Sequence, residues 1–267
     1  MKDFKSTLTR TYKAVKFRDN IEAGELESTV FRFFRVDSQL AETILFTNLE
    51  GDLAEARTVY TYNNKSQLKR EEFYYSSRLY STREYDYDEK SRLKAEIYKV
   101  LPDGVTKKKI YKYDNDRLVE IKEIEDEKLI SGKAYYYDRK KYIQILLDLE
   151  RQDKGQVACF ITLDAQNYKI KEEFFYSKDK SRIIQNYNTN GKIDNGKVYS
   201  SNGSFNHNRN IEYNKYGDMV EMIDHYKDSI HKEVFQYIYD SKGNWVKRIM
   251  FQNDEPLKIV TREIEYK

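Results

Sequence analysis

The chain has 267 residues, of which 39% are hydrophobic, 15% aromatic and 35% charged, and its mean hydropathy is −0.90. Tyrosine, present 25 times, makes up for scarce aliphatic residues, and so much aromatic surface excludes an intrinsically disordered chain. Lys and Arg together number 48 against 45 Asp and Glu, a net charge of +3 mixed along the whole length, which argues against nucleic acid as a partner.

Residues 1–10 lack the apolar stretch of a signal peptide. The chain as it stands reads as cytoplasmic, or as exported to the cell surface if a leader has been removed. Residues 1–30 follow the later pattern only loosely, with Thr11-Tyr12 as a worn first copy, and are read as an atypical N-terminal cap. Residues 31–267 form one repeat domain without linkers, and the strongest apolar run, residues 143–149, carries charge, so no membrane span is expected.

The repeat is an aromatic pair followed by Asp or Asn. The second aromatic falls at Val36, Tyr62, Tyr87, Tyr113, Tyr137, Leu163, Tyr187, Tyr213, Tyr239 and Tyr266, spaced 24–27 residues apart. Two residues earlier stand Phe34, Tyr60, Tyr85, Tyr111, Tyr135, Ile161, Gln185, Ile211, Tyr237 and Ile264. One residue later, Asp37, Asn63, Asp88, Asp114, Asp138, Asp164, Asn188, Asn214 and Asp240 occupy a single register. A fixed period of this size marks a repeat architecture.

Residues two apart on a strand share a face, so each aromatic pair lines one side and the polar residue between them faces water. Asp and Asn then open a turn, and Gly191, Gly217 and Gly243 supply the positive φ that the later turns need. An apolar residue restarts the alternation at Leu40, Leu68, Leu93, Leu118, Ile143, Ile170, Ile193, Met219 and Trp245. Further turns are expected at residues 48–52, 102–104, 152–155, 201–203 and 253–256. The expected fold is all-β: about ten antiparallel hairpins of ~26 residues in one long curved sheet or partial shell. Its shared face carries Tyr60, Tyr62, Tyr85, Tyr87, Tyr111, Tyr113, Tyr135, Tyr137, Tyr187, Tyr213, Tyr237, Tyr239 and Trp245.

These columns resemble the YD-repeat, or rearrangement-hotspot (RHS), family, whose core is Tyr-x-Tyr-Asp-x-x-Gly-Arg-Leu. Residues 237–245, 85–93 and 111–118 are the nearest copies, and their short, Lys- and Asn-rich form with a closing Gly-Asn-Trp looks like that of proteins from Bacteroidetes-type bacteria. The resemblance implies β-sheet ribbons that spiral into shells, in bacteria often around a secreted toxin and in animals on adhesion proteins. The Gly is replaced by Ser91 in one copy and deleted in another, and no toxin domain or self-cleaving protease block is expected within these 267 residues.

Residues with chemistry are few. His225 and His231 flank the turn at residues 227–229 with Asp224 nearby, the one candidate metal cluster, although the spacing matches no known ligand motif. Cys159 lies on a strand with no histidine near it in sequence, which suits a buried thiol better than a nucleophile. Asp88, in the acidic group with Asp86 and Glu89, is already the turn residue of its copy, and Lys107-Lys108-Lys109 reads as a solvated strand edge. No cofactor is called for.

The function expected from this is a non-catalytic scaffold that binds another protein through a concave Tyr-rich face or an open sheet edge. The family resemblance adds a role as partner, chaperone or immunity protein beside a bacterial toxin. Glycan binding at the cell surface is the alternative, since exposed Tyr flanked by Asp, Asn and Lys suits sugar rings. An enzyme is the least favoured reading.

Overall fold

The structure is a computed structural model, and it describes residues 4–18, 20–49, 52–101, 104–138, 143–148, 156–166, 168–175 and 181–267. Among the described residues there are twenty strands and no helix. They are β1 (Phe4–Phe17), β2 (Asn20–Phe34), β3 (Leu40–Leu49), β4 (Asp52–Tyr62), β5 (Leu68–Tyr75), β6 (Arg78–Tyr87), β7 (Leu93–Val100), β8 (Thr106–Asp114), β9 (Arg117–Glu125) and β10 (Lys128–Asp138). Then come β11 (Ile143–Asp148), β12 (Gln156–Leu163), β13 (Lys169–Phe175), β14 (Arg182–Tyr187), β15 (Ile193–Tyr199), β16 (Phe205–Tyr213), β17 (Met219–Tyr226), β18 (Ile230–Tyr239), β19 (Trp245–Gln252) and β20 (Glu255–Tyr266). The expected array of antiparallel hairpin repeats is present.

The chain divides into two units, residues 1–106 with 233–267, and residues 107–232. In the second, neighbours in sequence pair antiparallel from β8 through to β17. In the first, β2 pairs β3 and the meander runs on to β7, while β18 pairs β19 and β19 pairs β20. The two ends of the chain then meet. Thr9 of β1 lies opposite Val30 of β2 on one side and Arg262 of β20 on the other. The terminal strands β1 and β20 thus pair with each other, from Phe4 opposite Tyr266 to Lys13 opposite Lys258.

The turn after each aromatic pair follows from its Asp or Asn. The Asn63 Oδ1 accepts the N–H of Lys65 and of Gln67, both at 2.9 Å, and Asp240 does the same for Lys242 and Asn244. Asp164, Asn188 and Asn214 repeat the pattern. The side chain thus satisfies donors that the reversal leaves without ladder partners. Three residues on, the backbone turns left-handed at Ser66, Ser91, Gly191, Gly217 and Gly243. The other hairpin ends include two-residue turns with positive φ at both positions: Ser76-Ser77, Asp126-Glu127 and Asn253-Asp254.

The pairing register corrects one copy. Tyr62 lies opposite Leu68 and Tyr87 opposite Leu93, with a bulge just before each tyrosine. In the first copy the matching pair is Phe34 with Leu40, so Phe34 and not Val36 holds the second-aromatic position. Arg35 donates its N–H to Gln39 O as Asn63 does to Gln67 O, and Val36 stands at the turn tip, 95% exposed. Asp37 accepts from Gln39 but sits two residues late for the shared register.

Candidate binding face

All thirteen aromatics assigned to the shared face are half-buried, whereas the residues between them at Thr61, Asp86, Lys112, Tyr136, Glu212 and Ile238 are exposed. The rings of Tyr237 and Tyr239 stack with centroids 5.8 Å apart, as two side chains on one face can.

The hydroxyls have a role that the spacing did not reveal. Tyr62 donates to Leu40 O at 2.7 Å, Tyr87 to Leu68 O at 2.9 Å, Tyr137 to Leu118 O at 2.8 Å and Tyr213 to Ile193 O at 2.9 Å. The acceptor each time is the carbonyl of the apolar residue that restarts the alternation one repeat earlier. Each tyrosine is therefore a latch between repeats as well as a piece of apolar cover. Cations from the preceding turns sit over the same rings, Arg35 over Tyr62 at 5.1 Å and Lys192 over Tyr213 at 4.9 Å. Burial raises the Tyr62, Tyr87, Tyr137 and Tyr213 hydroxyls above the usual phenol range, so they remain donors at neutral pH.

Tyr60, Glu71, Arg83 and Tyr98 form one row across β4, β5, β6 and β7, each the direct cross-strand partner of the next. The Arg83 guanidinium lies over the Tyr98 ring at 5.5 Å, and Tyr85 donates to Glu71 at 3.0 Å. Burial pushes the Tyr85 hydroxyl up to about 12, against the pull of Arg83. Beside the row, Phe73 meets Tyr80 edge-on at 6.1 Å, and Tyr80 is 41% exposed. The hollow over this row has a volume of about 300 Å³ and opens to solvent. A second hollow, of about 690 Å³, lies where Asn190, Asp194, Glu212 and Tyr216 converge in the other unit, and Tyr216 is 49% exposed.

The histidine cluster is arranged differently from the sequence expectation. Asp224, 3% exposed, accepts two bonds of 2.7 Å from Arg209, and its carboxyl is held below the usual carboxylate range by that guanidinium. His225, one residue on, pairs with Asn208 on the opposite face. His207, which no spacing singled out, lies with Nε2 4.0 Å from Asp224 and its ring 4.5 Å from that of Tyr226. His231 is a further, smaller influence that lowers the Asp224 carboxyl. Both oxygens of the carboxylate are thus committed to Arg209, and among the described residues no group of three or more His, Cys, Asp or Glu is placed to hold a metal ion. Cys159 is 1% exposed, and burial pushes its thiol up to about 11, far from the thiolate a nucleophile needs.

No protein-family model matches the chain, and no curated protein matches it. Among solved structures, it is similar to a porin-like protein from Bacteroides uniformis at a TM-score of 0.40 and 10% identity, over 98% of this chain and 96% of that one. It is also similar to the TcdB2-TccC3-Cdc42 structure, at a TM-score of 0.42 and 12% identity, over 90% of this chain but only 16% of that one. A structure of TcdB2-TccC3 without its hypervariable C-terminal region gives 0.34 and 12%, again over 16% of its length. The likeness in each case is one of β-rich fold alone.

Proposed function

We propose that the chain is a non-catalytic repeat scaffold that binds another protein through the aromatic face of β4–β7. The observation that carries this reading is the hollow over Tyr60, Glu71, Arg83 and Tyr98, with Tyr80 half-exposed at its rim. Tyr and Arg anchors in a shallow, partly apolar depression are the composition that protein interfaces concentrate at their energetic centres. The chemistry elsewhere supports the same reading, because the one thiol is buried and protonated and Asp224 is held by an arginine. The repeat columns, which resemble those of YD or RHS proteins, suggest the class of partner: a component of a bacterial toxin or secretion system, for which this chain acts as partner, chaperone or immunity protein.

The test is affinity capture from native cells with wild-type protein and with Tyr80→Ala and Arg83→Ala, the captured protein being identified by mass and then rebound in pure form. A partner retained by wild type and lost from both variants is the expected result. Equal retention by all three would overturn the assignment of this face.

A second reading, glycan binding, is favoured by the hollow around Tyr216. A half-exposed ring beside Asn190, Asp194 and Glu212 combines a stacking surface with hydrogen-bonding groups suited to a sugar. Titration with oligosaccharides, using Tyr216→Ala as the control, tests it.

A further inference from the structure

The β1–β2 hairpin outruns its neighbours. Pairing of β1 with β20 stops at Lys13 opposite Lys258, and pairing of β2 with β3 starts at Ser28 opposite Thr47. The hairpin itself continues to Phe17 opposite Asn20. Residues 14–17 and 20–27 therefore form an arm with no ladder partner on either outer side among the described residues. The β2 side of it is eight residues long, about 27 Å at ~3.4 Å per residue.

The two faces of this arm differ. Tyr12, Ala14 and Lys16 lie opposite Leu26, Ala23 and Ile21, which places Ile21, Ala23 and Leu26 in one apolar row along the β2 edge. On the other face, Phe17 and Val15 lie opposite Asn20 and Glu22, and Glu25 and Glu27 extend that row to the body of the sheet. Glu25 is bound by Lys13 at 2.6 Å and Glu27 by Lys258 at 3.1 Å, the two lysines that face each other across β1 and β20. Glu22 is exposed and has no ion-pair partner among the described residues. Gly24 allows the bulge opposite Lys13 that keeps both rows in register, since a Cβ there would lie 2.9 Å from Val15 Cγ1 and 3.3 Å from Lys13 O.

An exposed strand edge with unpaired backbone groups accepts an added strand, and alternate side chains then set the specificity. We propose that residues 20–27 of β2 dock an extended segment of a protein partner in which Lys or Arg alternates with apolar residues. Its backbone pairs with the free ladder, its cations lie along Glu22, Glu25 and Glu27, and its apolar side chains cover Ile21, Ala23 and Leu26. A second copy of the same edge is a poor occupant, because its own row of Glu22, Glu25 and Glu27 carries no spare cation to pair with Glu22. This inference rests on the protein-binding function proposed above and names a second contact for it, separate from the hollow at Tyr80.

The probe is a fluorescent (Lys-Val)4 peptide, compared with (Glu-Val)4 and with Lys4Val4, which keeps the composition and loses the alternation. The alternating basic peptide is expected to bind wild type at least about tenfold more tightly than either control, with binding weakened by salt. It should slow hydrogen exchange of amides in residues 20–27. Glu22→Lys and Leu26→Ser, both at exposed positions, should each weaken binding several-fold without lowering the thermal midpoint. Equal binding of Lys4Val4, or protection that maps elsewhere, would overturn the proposal. Tyr80→Ala should leave peptide binding unchanged. Loss of the native partner from Tyr80→Ala together with failure of the peptide would remove the arm and keep the hollow, and the reverse pair of results would do the opposite.

Discussion

At the scale of single residues, the aromatic columns were legible and their second use was not. Tyr60 and Tyr62 announce one face of a strand by spacing alone. That Tyr62 reaches Leu40 O was not legible, because the acceptor is a backbone carbonyl 22 residues away. The latch is testable at Tyr87. Tyr87→Phe removes the bond to Leu68 O and should cost about 1 kcal/mol, while Tyr87→Ala also gives up half-buried ring surface and should cost about 2–3 kcal/mol. No loss from Tyr87→Phe in chemical denaturation, with the full loss from Tyr87→Ala, would assign the effect to the ring and none to the hydroxyl. Asp224 carries a pH dependence of its own. Its folded pKa lies below the ordinary carboxylate value because Arg209 holds the charged form. Its contribution is therefore complete above about pH 4–5 and is lost as pH falls through the folded value. Asp224→Asn should flatten the acid limb of the stability–pH curve and cost about 2 kcal/mol at neutral pH. A variant with an unchanged acid limb would remove this pair from the account.

At the scale of the hairpin, turn chemistry decides what a sequence reading recovers. Asn63, Asn188, Asn214 and Asp240 were readable as turn openers because their short side chains can bond donors two and four residues on, and they do. The glycines at 191, 217 and 243 were readable because each such turn needs a positive φ, which they adopt. Ser76-Ser77 and Asp126-Glu127 carry no Asn-Gly signal, and their turns are imposed by the strands on either side. The slip at Val36 has a similar cause: Arg35 occupies the turn-opening position, so the Asp at 37 offered a false register. The turn expected at residues 152–155 lies outside the described residues. Ser66 and Ser91 hold a left-handed conformation that glycine tolerates better. Ser91→Gly should stabilise the protein by about 0.5–1 kcal/mol, the relief of left-handed strain exceeding the entropy added to the unfolded chain. Gly217→Ala, at φ +81°, should destabilise by a similar amount. Thermal midpoints that move together in the two variants would refute this account of the turn.

At the scale of the whole molecule, the feature that sequence reasoning missed is the pairing of β1 with β20. Repeat columns say which residues neighbour each other within a hairpin and one copy on; they say nothing of contacts between Thr9 and Arg262. The pairing makes β1 an interior strand, with Lys5 bound to Glu265 at 2.6 Å and Arg10 to Glu263 along its length. An interior strand has a consequence that a terminal cap would lack. Every N–H along residues 7–12 has a neighbouring strand on its side, so a proline there removes a ladder bond and sets its ring against a paired backbone. The protein's own proline in this region, Pro256, sits at the second position of β20, before pairing with β1 begins at Lys258. Thr9→Pro should therefore cost at least about 3 kcal/mol and speed amide exchange in β2 and β20 together. If β1 were a detachable cap, the same substitution would leave β20 as protected as in wild type, and the melting curve would shift by little more than a surface change allows.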